Sequence, residues 1–361
     1  MLSLYIIIIL LNIGFSKYNS RLLEIINLIF LTILIGGNNY NADFTDYSMF
    51  YEDEIKGTFE VGYLFISELC LQHGLSFMAM KIILSLFSIL TVYFSCRYVK
   101  SNYSVFCLLY LSTLCFIDAV QIRQMVSYAL FTSALCVYSK GKRILPIVLM
   151  ALSVAFQYTS ILFLLFFIFS KYLNNERIMK WVWRVLLLFC FVIFLNGNTL
   201  PSFILNLTGF LDDSKRAYFE SAGRFGFILY FAYVYLCRYI TGVIKKRQSD
   251  KSSHDMKMLA DTVYAAYTFS ILGLPFVMMN NTFFRFFVFP LMGLFLLIGF
   301  YFVRGQEKTG VRYSQSNKSD NLFVIRICAA LIFAYNLLLQ ESTVVNDVFN
   351  HNMFENIFSI L

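Results

Sequence analysis

Twelve apolar runs, separated by short polar turns, constrain this chain more than any other feature of its sequence. They cover roughly residues 1–15, 22–37, 75–95, 103–118, 122–138, 144–156, 158–172, 181–196, 225–244, 258–279, 283–303 and 322–340. A helix needs about 20 apolar residues to span a bilayer. With 59% hydrophobic and 14% charged residues, the chain carries more apolar surface than a water-soluble protein of its length needs. We predict an all-α, polytopic membrane protein with about twelve transmembrane helices in one domain, residues 1–361.

The basic residues alternate along the chain. Most of the 29 Lys and Arg residues lie in every second turn, and the positive-inside rule assigns those turns to the cytoplasm. The opposite side carries few cations, namely Lys56, Arg123, Lys215, Arg216, Arg224 and Arg285. Both termini are therefore expected outside. No basic residue precedes the first apolar run, which favours an uncleaved first span over a signal peptide. The net charge of +8 reflects this topology, and we expect no nucleic-acid partner.

One pair of runs, at residues 144–172, is too short for two full spans. Because basic turns flank the pair on both sides, the chain must cross and return within 29 residues. We predict two short helices that meet at the sequence FQYTS (156–160), below the outer surface. Non-helical backbone at that depth is tolerated only against protein or a water-filled cavity. One long tilted helix is the alternative, and it would invert every later turn.

Two segments on the predicted outer side are longer than turns, residues 36–74 and 196–226. In the first, Phe44, Tyr47, Tyr51 and Ile55 recur at helical spacing while the acidic residues lie mostly off that face. This pattern predicts an amphipathic helix on the membrane surface. The segment also contains Asp46 and, at the start of a second apolar element, Glu60.

Arg123 stands at the head of the apolar sequence AVQIRQMVSYALF (119–131). An arginine at the centre of a lipid-facing helix costs about 2.5–3.5 kcal/mol, so it must face the bundle or extend to the head groups. On a helix, Gln121, Gln124, Tyr128 and Thr132 form one polar stripe beside it. The stripe favours a cavity wall open to the outside, with head-group contact as the alternative.

Arg285 repeats this situation in the sequence NNTFFRFFVFP, and Arg216 and Arg224 add two further guanidiniums on the same side. A guanidinium binds phosphate through a fork of donors and stays protonated. The arginines therefore suggest a phosphate-bearing substrate on the outer leaflet. For Arg216 and Arg224, a solvated loop helix is an equally good interpretation.

Several chemistries lack support in the sequence. The eight cysteines form no CxxC pair, and no HExxH, GxSxG, P-loop or Rossmann fingerprint occurs. No DxD-like metal cluster is evident, so we expect neither a metal nor a cofactor. Of the three histidines, His254 lies in an inner loop and His351 in the tail, and we expect neither to matter; His73, on the outer side, is a minor candidate base.

Four short motifs, in order, resemble the EpsG branch of the Wzy-type polymerases of capsule, exopolysaccharide and O-antigen. They are Asp46-Tyr47 followed by Tyr51; Glu60-Val61-Gly62-Tyr63; Ile122-Arg123-Gln124; and Phe156-Gln157-Tyr158-Thr159. The resemblance covers about residues 35–172 well and the Arg285 region loosely. Two positions depart from the family pattern, which commonly has Pro at Val61 and His at Gln157.

The resemblance implies a glycosyltransferase of the bacterial cytoplasmic membrane. Its donor and acceptor would be repeat units on undecaprenyl pyrophosphate, and chain-length regulator proteins would be partners. Arg123 and Arg285 would stabilise the leaving pyrophosphate without a metal. Glu60, and second Asp46, are the candidate general bases, because glutamine at 157 cannot accept a proton.

Further residues are assigned to substrate binding: Gln124, Gln157, Tyr158, Tyr47, Tyr63, Arg216 and Arg224. Aromatic rings among them are suited to stacking on sugars, although aromatic enrichment is expected at any membrane interface.

Two other functions remain open at this point. A lipid-linked oligosaccharide flippase or other transporter also has many spans and cavity arginines, but it should show internal repeats and a charged path through the midplane. A membrane acyltransferase normally relies on a histidine within the membrane, and none of the three histidines here is so placed.

Overall fold

The computed structural model describes residues 1–15, 20–41, 43–52, 59–173, 176–196, 227–247, 254–279, 281–307, 315–339 and 342–354. Within these ranges the chain is helical, apart from turns and one isolated antiparallel bridge between Asn38 and Asn352. The predicted outer segment at 196–226 lies almost wholly outside the described residues, as do Lys215, Arg216 and Arg224.

Eighteen α-helices follow one another along the described chain. They are α1 (Leu2–Phe15), α2 (Arg21–Gly36), α3 (Phe44–Glu52), α4 (Val61–Gln72), α5 (Phe77–Val99), α6 (Tyr103–Leu111), α7 (Cys115–Val120), α8 (Ile122–Ser139), α9 (Ile144–Phe156), α10 (Ile161–Leu173), α11 (Glu176–Asn196), α12 (Phe227–Arg247), α13 (His254–Ser270), α14 (Leu274–Met279), α15 (Arg285–Val288), α16 (Leu291–Glu307), α17 (Gln315–Leu338) and α18 (Ser342–Asn350). Three 3₁₀ turns, Tyr158–Ser160, Ile271–Gly273 and Asn281–Phe284, interrupt them. Each of the twelve apolar runs coincides with a helix or with helices in tandem.

Five helical stretches in the described part are long and apolar enough to span a membrane: Phe77–Val99, Arg177–Leu195, Phe227–Arg247, His254–Met279 and Arg285–Val303. A sixth is counted if Phe323–Leu338 and Thr343–Asn350, bent by 101°, form one span. The count is lower than the predicted twelve because several runs form short helices. For example, α1 has 14 residues and α2 has 16. The composition and these helices are typical of an integral membrane protein.

The predicted break in the 144–172 pair is confirmed. Gln157 adopts an extended conformation (φ −152°, ψ 106°) between α9 and the 3₁₀ turn that precedes α10. Ser153 of α9 contacts Ser127 near the start of α8, with hydroxyl oxygens 2.6 Å apart. The α10 ring of Phe167 instead packs on Tyr138 at the far end of α8, with centroids 5.3 Å apart. The chain therefore reverses at Gln157, and the single long helix is excluded.

Helix α8 lies inside the bundle, packed between α5, α9, α13 and α16. The span that contains α16 is 83% buried within the bundle, whereas the span of α11 is only 22% buried. Helix α16 lies directly against the α5–α6 turn at Gly299, because glycine has no side chain there. A Cβ at this position would stand 2.4 Å from the Ser101 hydroxyl oxygen. Arg123 is therefore carried by a central helix and enters the interior from the end at which Gln157 lies, here named the hairpin end.

Helix α3 covers part of the hairpin end. Its apolar face is directed at the bundle: Phe44 and Tyr51 both pack on Phe77 at the start of α5, and the Tyr51 hydroxyl donates to the Leu75 carbonyl at 2.8 Å. The predicted amphipathic character is therefore present, and the apolar face of the helix is used to contact protein.

Candidate functional site

Arg123 is enclosed by side chains from the segment that contains α3 and α4. Its Nε donates to the Tyr47 hydroxyl at 2.8 Å, and its Nη1 forms an ion pair with Glu60. The guanidinium lies over the rings of Tyr47, Phe59 and Tyr63, at 5.0, 4.6 and 5.8 Å from their centroids. Since cation–π contacts and a carboxylate hold the charge in place, Arg123 faces protein and does not simply extend to head groups.

Glu60 connects this cluster to the hairpin. It is the N-cap residue of α4 and is only 6% exposed, and its second carboxylate oxygen accepts a hydrogen bond from the Tyr158 backbone N–H at 3.4 Å. The Glu60 carboxylate therefore contacts both Arg123 and the break between α9 and α10. Three of the predicted motifs meet at this one residue.

Gly62 makes this meeting possible. A Cβ at this position would stand 2.8 Å from the Ala155 carbonyl oxygen, closer than real Cβ atoms approach. Glycine therefore allows the first turn of α4 to lie directly on the end of α9. Val61, where relatives commonly have Pro, is the first helical residue and is 68% exposed. Proline is common at the first position of a helix, and the exposed Val61 side chain makes few contacts there.

The polar stripe of α8 divides into two parts. Toward the interior, Tyr128 and Thr132 are buried, and the Thr132 hydroxyl donates to the Tyr128 carbonyl of the same helix at 2.8 Å. Ser127, which lies beside the stripe, pairs with Ser153 of α9. The predicted cavity wall is therefore wrong for this inner part, because its side chains are buried among the packed helices. Near the hairpin end, Gln124 donates to the Tyr128 hydroxyl but leaves its own carbonyl oxygen unpaired.

Some of the unpaired buried polar atoms belong to residues next to Arg123 in the chain, to the hairpin and to Arg285. In the described part of the chain, no partner is present for Gln121 Oε1, Gln124 Oε1, Thr159 Oγ1 or Arg285 Nε. Buried polar groups are nearly always hydrogen-bonded, so a group of unpaired ones indicates atoms available to a ligand. Both donors and acceptors are present, as recognition of phosphate and sugar hydroxyls requires.

Arg285 acts on the same segment as Arg123. Burial raises the pKa of Asp43, and the positive charges of Arg285 and then Arg123 oppose that rise. Burial likewise raises the pKa of the Tyr47 hydroxyl, again opposed by both guanidiniums. Two arginines that are 162 positions apart in the sequence therefore interact electrostatically with the same segment, at Asp43 and at Tyr47 of α3.

The remaining predicted residues are placed as follows. Gln157 is buried (7% exposed), whereas the Tyr158 ring is 55% exposed beside it. Asp46 and His73 lie on exposed surface. Arg216 and Arg224 lie outside the described residues. Among the residues that the structure describes, no three His, Cys, Asp or Glu side chains group as a metal site would require.

A comparison with protein-family models now decides the family. The model of the EpsG family matches residues 21–353, nearly the whole chain. The chain belongs to the EpsG family. Membership indicates a role like that of a polysaccharide polymerase, and all four motif stretches lie within the matched range. No curated protein and no solved structure matched the chain.

Several residues of structural note, two beside the candidate site and two cations elsewhere, were not predicted from the sequence. Asp43 and Phe59 flank predicted residues but carry no distinguishing pattern of their own. Lys81 and Arg238 are single cations inside apolar runs, a sequence pattern that indicates a buried charge with a protein partner. Lys81 donates to the Asn38 carbonyl at 2.6 Å, and Asn38 in turn binds the His351 carbonyl at 2.9 Å. The segment leading to α3 is thus fixed to the C-terminal region.

Proposed function

We propose that this EpsG-family protein polymerises oligosaccharide repeat units carried on undecaprenyl pyrophosphate. The growing glycan would leave its carrier and join a hydroxyl of an incoming lipid-linked unit, at the outer face of the bacterial cytoplasmic membrane. One observation carries the proposal: Arg123, Glu60 and the Gln157 break meet in a site that retains unpaired donors and acceptors. Chain-length regulator proteins are proposed as partners, together with the bilayer itself.

The proposed orientation places the hairpin end outside, with twelve passes and both termini outside, on the charge alternation of the turns. Cysteine labelling tests it in a background without native cysteines. An external reagent should modify a cysteine at position 50 and leave one at position 250 unmodified. Labelling at 250 in intact cells would overturn the orientation.

Arg123 and Arg285 are proposed to bind the pyrophosphate. As the bond between the sugar anomeric carbon and the pyrophosphate oxygen breaks, negative charge grows on the leaving group, and fixed guanidiniums stabilise it. The Arg123 contacts described above use Nε and Nη1, so the other donors of its fork remain for the ligand. These two arginines would supply the charge that a metal supplies elsewhere, and Arg216 and Arg224 are proposed as further binding residues.

Glu60 is proposed as the general base, with Asp46 second. In the structure Glu60 is bound to Arg123, and pyrophosphate would compete for that guanidinium. Substrate binding would thereby free a carboxylate oxygen to take the proton of the acceptor hydroxyl as the new glycosidic bond forms. Asp43 joins the candidates because it is partly buried near both arginines.

The acceptor sugar is proposed to lie at the break in the hairpin. Gln157 and Gln124 offer amide groups for sugar hydroxyls, and Tyr47, Tyr63 and Tyr158 offer rings for stacking. Tyr158 is exposed beside the buried Gln157, so its ring is accessible to a sugar.

The surface glycan of a deletion strain tests the proposed reaction. A polymerase defect should leave single repeat units on the outer side, and the wild-type gene should restore the ladder of long chains. Accumulation of lipid-linked units in the cytoplasm would instead identify a flippase and overturn the proposal.

A further inference from the structure

An apolar cavity of about 160 Å³ lies among α10, α13, α14 and α15. Its walls include Leu162 and Phe163 of α10, Phe269 of α13, Leu272 and Phe276 near the second 3₁₀ turn, and Phe286 of α15. The hydroxyl of Ser270, the one polar side chain in the lining, is engaged with the Tyr267 carbonyl at 2.9 Å. The cavity therefore presents only apolar groups to a ligand.

Interrupted helices form this cavity. Pro275 has no backbone N–H and is placed to disturb the carbonyl of Ile271, and the span His254–Met279 passes through a 3₁₀ turn there. The turn before α15 and the turn before α10 interrupt two neighbouring elements. Broken helices at membrane depth are tolerated where they line a cavity.

The cavity is connected to the polar site through two short stretches of chain. Leu162 follows Gln157 by five positions, and Phe286 directly follows Arg285, whose buried Nε has no partner in the described part. Phe163 packs on Phe289 with centroids 4.7 Å apart, and Phe289 packs on Tyr128 at 4.6 Å. A ligand with a charged head and an apolar tail is matched by this arrangement.

We infer that the cavity binds an isoprene segment of the polyprenyl carrier, close to the phosphate held by Arg285. This inference rests on the proposed function and adds a location for the lipid. A dry apolar cavity of about 150 Å³ binds a molecule the size of benzene, so 160 Å³ holds about one branched five-carbon unit. Phe276 lines the cavity and is 39% exposed, so the rest of the chain continues past it into the bilayer.

The rings favour a branched chain over a straight one. The Phe163 ring is tilted by 58° against Phe269 and by 41° against Phe286, so these rings do not form a flat slot. Gly273 keeps the wall compact, since a Cβ there would stand 3.2 Å from the Phe286 Cβ. We expect a methyl branch to make dispersion contacts with more than one of these tilted rings, which a straight chain would make in smaller number.

Binding of undecaprenyl monophosphate to the purified full-length protein in nanodiscs tests the inference. Leu162→Trp fills the cavity and should weaken binding about tenfold or more, as should Leu272→Trp from the opposite wall. Leu165 lies on the same helix as Leu162 and is 41% exposed, outside the cavity lining. Leu165→Trp is therefore the matched control and should bind undecaprenyl monophosphate as the wild type does. Inorganic pyrophosphate should bind all variants equally, which would show that the anion-binding arginines are intact in each of them.

The outcomes separate the cavity from the function. If both filling variants bind undecaprenyl monophosphate normally, or if straight-chain phosphatidic acid displaces it equally well, the cavity is not an isoprenoid site and the proposed function stands. If the wild type binds inorganic pyrophosphate but no undecaprenyl monophosphate, the polyprenyl carrier itself is wrong, and both proposals fall.

Discussion

Arg123 and Arg238 both lie in apolar helices, yet their surroundings differ. Arg238 of α12 donates to the Thr268 hydroxyl at 3.0 Å and to the Tyr264 hydroxyl at 2.7 Å, and it stacks on the single ring of Tyr264. Both partners belong to α13, and neither leaves a buried polar atom unpaired in the described part of the chain. Arg123 instead binds a carboxylate and three rings from another segment, beside several unpaired atoms.

The difference separates a structural arginine from a candidate ligand-binding one. A guanidinium whose hydrogen-bond partners leave no buried polar atom unpaired joins two helices and needs no ligand. A guanidinium surrounded by unpaired donors and acceptors forms part of a site that a ligand completes. Burial alone does not distinguish the two, since both side chains are partly buried.

The largest expected effect is at the two site arginines. Arg123→Lys and Arg285→Lys should each reduce polymer about 100-fold or more, because lysine keeps the charge and loses the fork. Arg238→Lys, the matched control, should still give long chains. Glycan ladders from cells with equal membrane levels of each variant provide the measurement. Normal polymer from both site variants would show that the phosphate-binding role is wrong.

Next in size is the loss of the base. Glu60→Gln, nearly isosteric, should reduce polymer by about 10²–10⁴-fold, the usual contribution of general-base catalysis. Glycan ladders from cells making Glu60→Gln, Asp46→Asn or Asp43→Asn rank the three carboxylates by the amount of polymer that each variant loses. Full-length polymer from all three variants would exclude each of them as the base, and His73 would be tested next.

The pH dependence identifies Asp43 if it is the base. Burial raises the pKa of Asp43, so the side chain takes up a proton at a higher pH than an ordinary aspartate. A base must be deprotonated, so activity would fall as the pH drops through that raised pKa. In membranes assayed across a pH series, Asp43→Asn should lose both the activity and this acid limb. An unchanged limb in the residual activity assigns it to another group.

A smaller effect is expected from two glycines, one in each region. Gly62→Ala pushes α4 from the Ala155 carbonyl and should cost about 10- to 100-fold in polymer through misplacement of Glu60. Gly242→Ala meets only the ring of Tyr264, at 3.3 Å, which is able to shift, so polymer should stay near normal. Equal ladders from the two variants would contradict the role given to Gly62.

The smallest effect is expected at Gln157. Glutamine cannot accept the proton, so Gln157→Ala should only shorten the chains or reduce their amount several-fold, by loosening the acceptor sugar. The modal chain length on the ladder is the measurement. Complete loss of polymer, with the protein still in the membrane, would assign Gln157 a larger part than orientation of the sugar.

Local features of the sequence predicted much of the site. The short 144–172 pair required a reversal near Gln157, and the cost of a buried guanidinium required partners for Arg123. Contacts between distant segments could not be predicted from local sequence patterns. Tyr47 and Arg123, for example, are 76 positions apart, and no local pattern indicates that they form a hydrogen bond. The inner part of the α8 stripe does not line a cavity, because Tyr128 and Thr132 are covered by neighbouring helices, and periodicity alone does not reveal that cover.

Binding of inorganic pyrophosphate tests most directly whether Arg123 and Arg285 form one anion site. Calorimetric titration would compare the purified wild type with Arg123→Lys, Arg285→Lys and Arg238→Lys in nanodiscs. Because a charged hydrogen bond contributes about 1.5–3 kcal/mol, each site variant should bind about tenfold or more weakly, and Arg238→Lys should match the wild type. Equal weakening in all three variants, or no binding by the wild type, would contradict the site.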